Sequence, residues 1–241
     1  MTYGIDISLW QGKFDWQKAV NQGVKFAFLK ASQGLFIDPR FKENMASCPL
    51  VYRGAYHFLD PLRDGAKQCQ FFLDTVGDSS TLIGALDVEN IWQCFDEAIA
   101  HAWEFVQEYK RLTNLWPILY TNNSIADHMQ WKDGKYQFYF RNFIHCPLWI
   151  TNYDKVDRPV TGPWLQEHLQ QISDSADGKL YGSTGSKEID IDKAIFPIDL
   201  LLINPLVVPE PHISFPTETP VVKPVKPRVF IKHDHPNRET K

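Results

Sequence analysis

The stretch Ala85-Leu86-Asp87-Val88-Glu89-Asn90 places two carboxylates in a short run of apolar residues. Side chains two positions apart on a strand share a face, so Asp87 and Glu89 point the same way, with Cα atoms roughly 6.5 Å apart. If that face is the interior of a closed sheet, both carboxylates reach one pocket. The stretch therefore predicts a strand that ends at a functional site.

Similar β-rich runs recur on both sides of this stretch, with helical or loop segments between them, as is typical of a β/α protein with a largely parallel sheet. We place strands at Tyr3-Ile7, Phe26-Ala31, Tyr52-Phe58, Leu82-Val88, Ile118-Thr121, Leu148-Thr151, Leu169-Ile172 and Ile189-Ile191. Helical spacing of apolar residues predicts helices at Phe14-Asn21, Gly65-Thr75 and Phe95-Leu112. These runs fit an α/β fold, an irregular TIM-like β/α barrel.

Acidic residues also lie in the first and last predicted strands. Asp6 interrupts the first strand, and Asp190 and Asp192 lie near the end of the last, where only one of them need point inward. Strand ends converge on one face of a β/α barrel, so we expect Asp6, Asp87, Glu89 and Asp190 to meet. Mutual repulsion would raise the pKa of at least one of them, as glycosidic cleavage requires. A helix cap or loop anchor is the alternative for a single strand-end aspartate.

Aromatic residues lie beside these acidic motifs. Tyr56, Tyr120 and Trp149 occur at strand ends, where a ring could stack on a sugar or pack in the core. His57 lies on the opposite face from Tyr56, so we interpret it as a structural histidine. Lys30 either pairs with a pocket carboxylate or lies at a solvated strand end.

Composition narrows the classes of function. The net charge is -4, which does not provide the basic surface that nucleic-acid binding requires. The 8 Trp, 9 Tyr and 16 Phe suit a protein that stacks rings against sugars, although most rings belong to a core. The four cysteines show no metal-ligand spacing, and we expect buried free thiols, with disulfide bonds as the alternative. These are Cys48, Cys69, Cys94 and Cys146.

The end of the chain differs in composition from the rest. Residues 204–241 hold eight of the 16 prolines and no glycine, which predicts a disordered Pro-rich C-terminal tail or linker. Its six Lys and Arg residues suit either an anionic wall surface or a solvated spacer. We therefore divide the chain into a barrel, residues 1–203, and a tail, residues 204–241.

Several segments resemble, in order, the successive strand motifs of the glycoside hydrolase family 25 lysozymes. They are Gly4-Ile5-Asp6-Ile7-Ser8-Leu9-Trp10-Gln11-Gly12, Phe26-Ala27-Phe28-Leu29-Lys30-Ala31-Ser32, Gly54-Ala55-Tyr56-His57-Phe58, Leu86-Asp87-Val88-Glu89, Leu119-Tyr120-Thr121-Asn122 and Leu148-Trp149-Ile150. The resemblance runs from about Tyr3 to Phe196. It implies an irregular β/α barrel that hydrolyses the β-1,4 bond between N-acetylmuramic acid and N-acetylglucosamine in peptidoglycan, without a cofactor or metal.

Carried over by position, the resemblance implies Glu89 as the catalytic acid and base, assisted by Asp87, Asp6 and Asp190. It also implies retention of anomeric configuration, with the acetamido group of the substrate as nucleophile and Asp87 to orient it. The chain departs from the family pattern at three places. Leu9 replaces a common histidine, Ser32-Gln33 replaces Thr-Glu, and Asp192 replaces a frequent asparagine.

Two other functions remain open at this stage. A chitinase-like barrel glycosidase also ends its fourth strand in Asp-x-Glu, but Leu82 and Ala85 stand where it needs aspartates. A barrel that binds wall glycan without cutting it is the other alternative, but it would give the four converging carboxylates no function.

The sequence also suggests where the protein acts. Met1-Thr2-Tyr3-Gly4-Ile5-Asp6 has no signal-peptide pattern, and no apolar run is long enough for a membrane span. We expect a monomer, made in the cytoplasm, that binds peptidoglycan glycan strands. A phage-type lysin released by host lysis machinery fits this pattern, and a bacterial enzyme with its leader trimmed is the alternative.

Overall fold

The structure is a computed structural model that describes residues 1–131, 143–156 and 159–203. The proposed boundary at residue 203 and the predicted Pro-rich tail, residues 204–241, fall at or beyond the end of this range. In the described part, no helix has the length and apolar character needed to cross a membrane.

The described residues form a mixed α/β fold around one nine-stranded sheet. Its strands are β1 (Thr2–Ile7), β2 (Phe26–Gln33), β3 (Phe36–Ile37), β4 (Tyr52–Phe58), β5 (Ala85–Val88), β6 (Ile118–Thr121), β7 (Leu148–Thr151), β8 (Leu169–Asp177) and β9 (Glu188–Ala194). Strands β1 and β2 pair with each other, and β3 extends β2 as a short hairpin. The other eight strands thereby close into a barrel, which confirms the predicted fold class.

The barrel is irregular because β9 runs antiparallel to both of its neighbours, β1 and β8. The other pairs around the ring are parallel, from β1 with β2 through to β7 with β8. All eight predicted barrel strands are present, and β4, β6 and β7 have the predicted bounds. The predicted strand Leu82-Val88 corresponds to β5, which begins only at Ala85. Leu82 instead forms an isolated bridge with Leu202.

Helices flank the barrel. They are α1 (Trp16–Asn21), α2 (Phe41–Ser47), α3 (Gly65–Val76), α4 (Phe95–Thr113), α5 (Asn123–Trp131) and α6 (Gly178–Tyr181), with 3-10 turns at Leu9–Gln11, Trp92–Cys94 and Ile198–Leu201. The three predicted helices correspond to α1, α3 and α4. The ends of α4 carry residues that stabilise a helix. Asp96 and Glu97 lie in its first turn, Lys110 and Arg111 lie in its last turn, and Asn114 ends it in the left-handed conformation.

The barrel core is packed with phenylalanine rings that fill the space left by glycines. A Cβ added to Gly4 would lie 2.3 Å from the ring of Phe26, and one added to Gly54 would lie 2.3 Å from Phe28. Both rings are fully buried, and Phe28 also lies 4.9 Å from the ring of Trp149. This layer fills the barrel interior at the level of Gly4 and Gly54.

The four cysteines are free thiols, as predicted. Three of them are buried, while Cys94 is half-buried, so the expectation of burial was wrong for that residue alone. Burial raises the pKa of the Cys48 thiol to about 11, which leaves it protonated near neutral pH.

Candidate active site

A pocket of about 280 Å³ opens at the carboxyl ends of the parallel strands. Its wall includes all seven site residues predicted from sequence, namely Asp6, Asp87, Glu89, Asp190, Tyr56, Tyr120 and Trp149. The barrel thus brings together side chains from β1, β4, β5, β6, β7 and β9. This convergence is the arrangement expected of a β/α barrel, where side chains that are distant in sequence meet at the strand ends.

The acidic pair on β5 lies at two depths. Asp87 belongs to the strand and is 7% exposed, and its Oδ1 has no hydrogen-bond partner among the residues that the structure describes. Glu89 follows the strand and is half-buried. Burial, followed by the charge of Glu89, raises the pKa of Asp87 well above its ordinary value. Burial also raises the pKa of Glu89, against the opposing effect of Lys30.

Asp6 and Asp190 face each other across the pairing of β1 with β9. Two carboxyls on cross-strand neighbours repel each other when both are ionised, which favours a proton on one of them. Burial is the main cause that raises the pKa of Asp190 to about 6, and burial with the neighbouring charge of Asp190 raises the pKa of Asp6. Because β9 is antiparallel, Asp190 reaches the mouth from the amino half of its strand.

Asp192 points inward as well. It is fully buried and lies two residues from Asp190 on the same strand, and its Oδ1 accepts a 3.0 Å hydrogen bond from Nε1 of Trp149. The sequence required only one of this pair to face the interior. In the barrel both do, since β9 remains regular from Asp190 to Asp192 in its pairing with β1.

The sequence interpretation missed a polar cluster centred on Gln171. The Oε1 atom of Gln171 accepts hydrogen bonds from the hydroxyls of Tyr120, at 2.8 Å, and Tyr153, at 2.5 Å. Its Nε2 donates to Oδ2 of Asp6 at 2.8 Å. A glutamine inside the predicted strand Leu169-Ile172 was the available signal. Trp10, which is 69% exposed on the pocket wall, was quoted in a motif but not proposed as a site residue.

The three predicted aromatic residues differ in exposure. Trp149 is 2% exposed and Tyr120 is 6% exposed, so both contribute mainly to the base of the pocket. Tyr56 is half-buried, and its pKa is raised by burial and then by the charges of Asp6 and Asp87. Their role as substrate contacts stays a prediction. Tyr153, at 42% exposure, offers a more accessible ring at the same mouth.

Lys30 lies in the pocket wall with the acidic pair. Its Nζ donates to Oε1 of Gln33 at 2.9 Å and lies 4.5 Å from the centre of the Phe58 ring. Burial lowers the pKa of Lys30, and the charges of Asp87, Asp38 and Glu89 oppose that shift. The ammonium therefore acts on the pocket carboxylates through space, while it donates a hydrogen bond to the neutral amide of Gln33.

His57 is a structural histidine, as predicted. It is fully buried, with Nδ1 2.8 Å from the hydroxyl of Ser32 and Nε2 3.1 Å from Oε1 of Gln68. Burial lowers its pKa to about 4, so the ring is neutral at physiological pH. Its ring stacks on Phe105, on the helix side of β4.

Comparison with known proteins agrees with this geometry. The sequence pattern of the glycosyl hydrolases of family 25 matches residues 5–176, more than half of the chain. The N,O-diacetylmuramidase of Chalaropsis sp is 32% identical over 192 residues, which cover 71% of this chain and 88% of that protein. Lysozyme M1 of Streptomyces globisporus is 38% identical over 95 residues, which cover 36% of this chain and only 32% of that longer protein.

The fold is similar to solved structures as well. The bacterial lysozyme from Streptomyces coelicolor superposes with a TM-score of 0.69 at 25% identity, covering 83% of this chain and 94% of that chain. The fold and the sequence pattern therefore both agree with this family. The chain belongs to the glycosyl hydrolases of family 25.

Proposed function

We propose that this chain is a lysozyme that hydrolyses the β-1,4 bond between N-acetylmuramic acid and N-acetylglucosamine in peptidoglycan. The observation that carries the proposal is the pair at the end of β5: a buried Asp87 and a half-buried Glu89 that line one pocket. The names of the relatives, a muramidase and lysozymes, support the choice of substrate.

In this proposal, Glu89 is the general acid that protonates the leaving glycosidic oxygen. Its raised pKa suits the role, because the acid must hold its proton near neutral pH until the bond breaks. Its partial exposure also suits the role, since a substrate oxygen has to approach it. Once the leaving group departs, the same carboxylate accepts a proton from the attacking water.

Asp87 acts beside it as an acceptor. Its Oδ1, which has no hydrogen-bond partner among the described residues, can accept a hydrogen bond from the N–H of the substrate's 2-acetamido group and so orient that group to attack the anomeric carbon. Asp6 and Asp190 line the same pocket, and their raised pKa values favour a proton on one of the two. Together they keep negative charge close to the positive charge that develops in the oxocarbenium-like transition state.

The test is the substitution Glu89→Gln, which keeps size and removes the acid. We expect lysis of purified walls, measured as loss of turbidity, to fall by at least about 100-fold, the lower end of what acid–base catalysis contributes. The matched control is Glu43→Gln, on the exposed surface of α2, which should lyse walls like the unchanged protein. Equal lysis by the Glu89→Gln variant would remove Glu89 from this role.

Mass spectrometry of the released fragments identifies the bond. N-acetylmuramic acid at the new reducing ends supports the proposal, whereas N-acetylglucosamine there contradicts it. Release from chitin but not from walls would favour a chitinase-like glycosidase. Wall binding without any soluble fragments would favour a glycan-binding barrel.

A further inference from the structure

We propose that Gln171 is a positioning residue, which holds the carboxyl group of Asp6 in place opposite Asp190, its cross-strand neighbour. The proposal rests on the function proposed above, because it assigns a task to a residue that supports one of the assisting carboxyls. It stands on three hydrogen bonds around a side chain that is 5% exposed.

The amide of Gln171 has one satisfactory orientation. Two tyrosine hydroxyls donate to its Oε1, which uses both lone pairs of that oxygen. Its Nε2 then faces Oδ2 of Asp6 and donates to it. In a flipped amide the tyrosine hydroxyls could accept from the N–H₂ group, but two oxygens would lie 2.8 Å apart at Asp6 and the hydrogen bond to the ionised Asp6 would be lost.

This bond distinguishes the two oxygens of Asp6. Oδ2 accepts from Gln171, which leaves Oδ1 as the oxygen that takes up a proton more readily when the carboxyl is protonated. The amide of Gln171 can donate to Asp6 at every pH, since an amide does not titrate. Tyr120, on β6, and Tyr153, after β7, thus fix Asp6, on β1, through a side chain of β8.

The substitution Gln171→Glu separates positioning from packing. Glutamate keeps the shape and accepts the same tyrosine hydroxyls, but when ionised it turns an acceptor and a charge toward Asp6. When protonated, at acidic pH, it can donate to Asp6 again. The titratable groups around it are Asp6, Tyr120 and Tyr153, with Asp190 and Asp192 on the adjacent strand β9.

We expect kcat for soluble glycan fragments to fall about 10- to 100-fold at neutral pH, the effect of losing one hydrogen bond to a charged group. KM should stay near its original value, and the deficit should shrink as pH falls. Tyr153→Phe, which removes one of the two donors, should give a smaller loss. Gln17→Glu, on the exposed face of α1, controls for added charge.

Carboxyl ¹³C NMR titration provides a readout that needs no activity. The Asp6–Asp190 pair should titrate at higher pH in Gln171→Glu than in the unchanged protein. A kinetic deficit that is the same at every pH, or an unchanged NMR titration, would overturn the positioning role. If the unchanged protein lyses no walls, the proposed function fails, while the titration still decides the role of Gln171.

Discussion

Burial is the largest cause that raises the pKa of each of five carboxyl groups, those of Asp6, Asp87, Glu89 and Asp190 in the pocket wall and that of the fully buried Asp192. A carboxyl whose pKa is higher in the folded state binds its proton more tightly there than in the unfolded chain. Its stabilising contribution is therefore complete below the unfolded pKa and is lost as pH rises through the folded pKa. For Asp190 that window runs from 3.8 to about 6.

Asp192 is suited to test this linkage because no catalytic role is proposed for it. Its Oδ2 is buried without a hydrogen-bond partner among the described residues, and burial and Asp190 raise its pKa. Asp192→Asn keeps the bond to Trp149 and cannot ionise. We expect the variant to gain stability over the unchanged protein as pH rises from 4 to 7, by at most about 1.4 kcal/mol per pH unit.

The measurement is urea unfolding at several pH values between those limits. A stability difference that does not change with pH would show that Asp192 does not titrate in this range. A loss of stability at neutral pH would show that the carboxylate form is preferred, which would contradict the direction of the shift.

At the scale of elements, a helix or strand could be predicted where its apolar residues recur at a regular spacing. Elements whose conformation depends on tertiary contacts could not be predicted. Helices α3 and α4 were found because apolar residues recur at helical spacing over 12 and 19 residues. Helices α2, α5 and α6 and the strand β3 were not predicted. The four-residue α6 and the two-residue β3 are too short to show a period. These elements owe their conformation to their neighbours.

The packing of α3 against α4 depends on Gly65. A Cβ at this position would lie 1.8 Å from the backbone oxygen of His101, so the helices would have to separate. We expect Gly65→Ala to lower the free energy of unfolding by about 1–3 kcal/mol, although alanine is the better helix former. Lys67→Ala, exposed in the same turn, should change it little, and urea unfolding compares the two. Equal stability of both variants would mean that the helices are not held this closely.

At the scale of the whole molecule, the ring closes within the described residues. Strand β1 pairs on one side with β2 and on the other with β9, so closure involves no residue after Ala194. After it, Ile203 donates its backbone N–H to Thr81, which ties the end of the described chain to the barrel.

Because the described ring is already closed at Ala194, we expect a chain that ends at Ile203 to unfold at the same temperature as the full chain, within about 2 °C. Differential scanning calorimetry of the two chains checks this. A lower midpoint for the shortened chain would place stabilising contacts in residues 204–241 and move the proposed boundary toward the C-terminus.

The sequence alone determined the barrel class, since eight short β-rich runs recur along the chain, and it identified four carboxyls and three rings of the pocket wall but not the rings of Trp10 and Tyr153. Alternation along a strand is a local property, so Asp87 and Glu89 could be assigned to one face without coordinates. Only the tertiary structure decided that β9 is antiparallel, that Asp192 faces inward and that Gln171 joins two tyrosines to Asp6. These facts depend on contacts between β1, β6, β8 and β9, and such long-range pairing leaves no period in the chain.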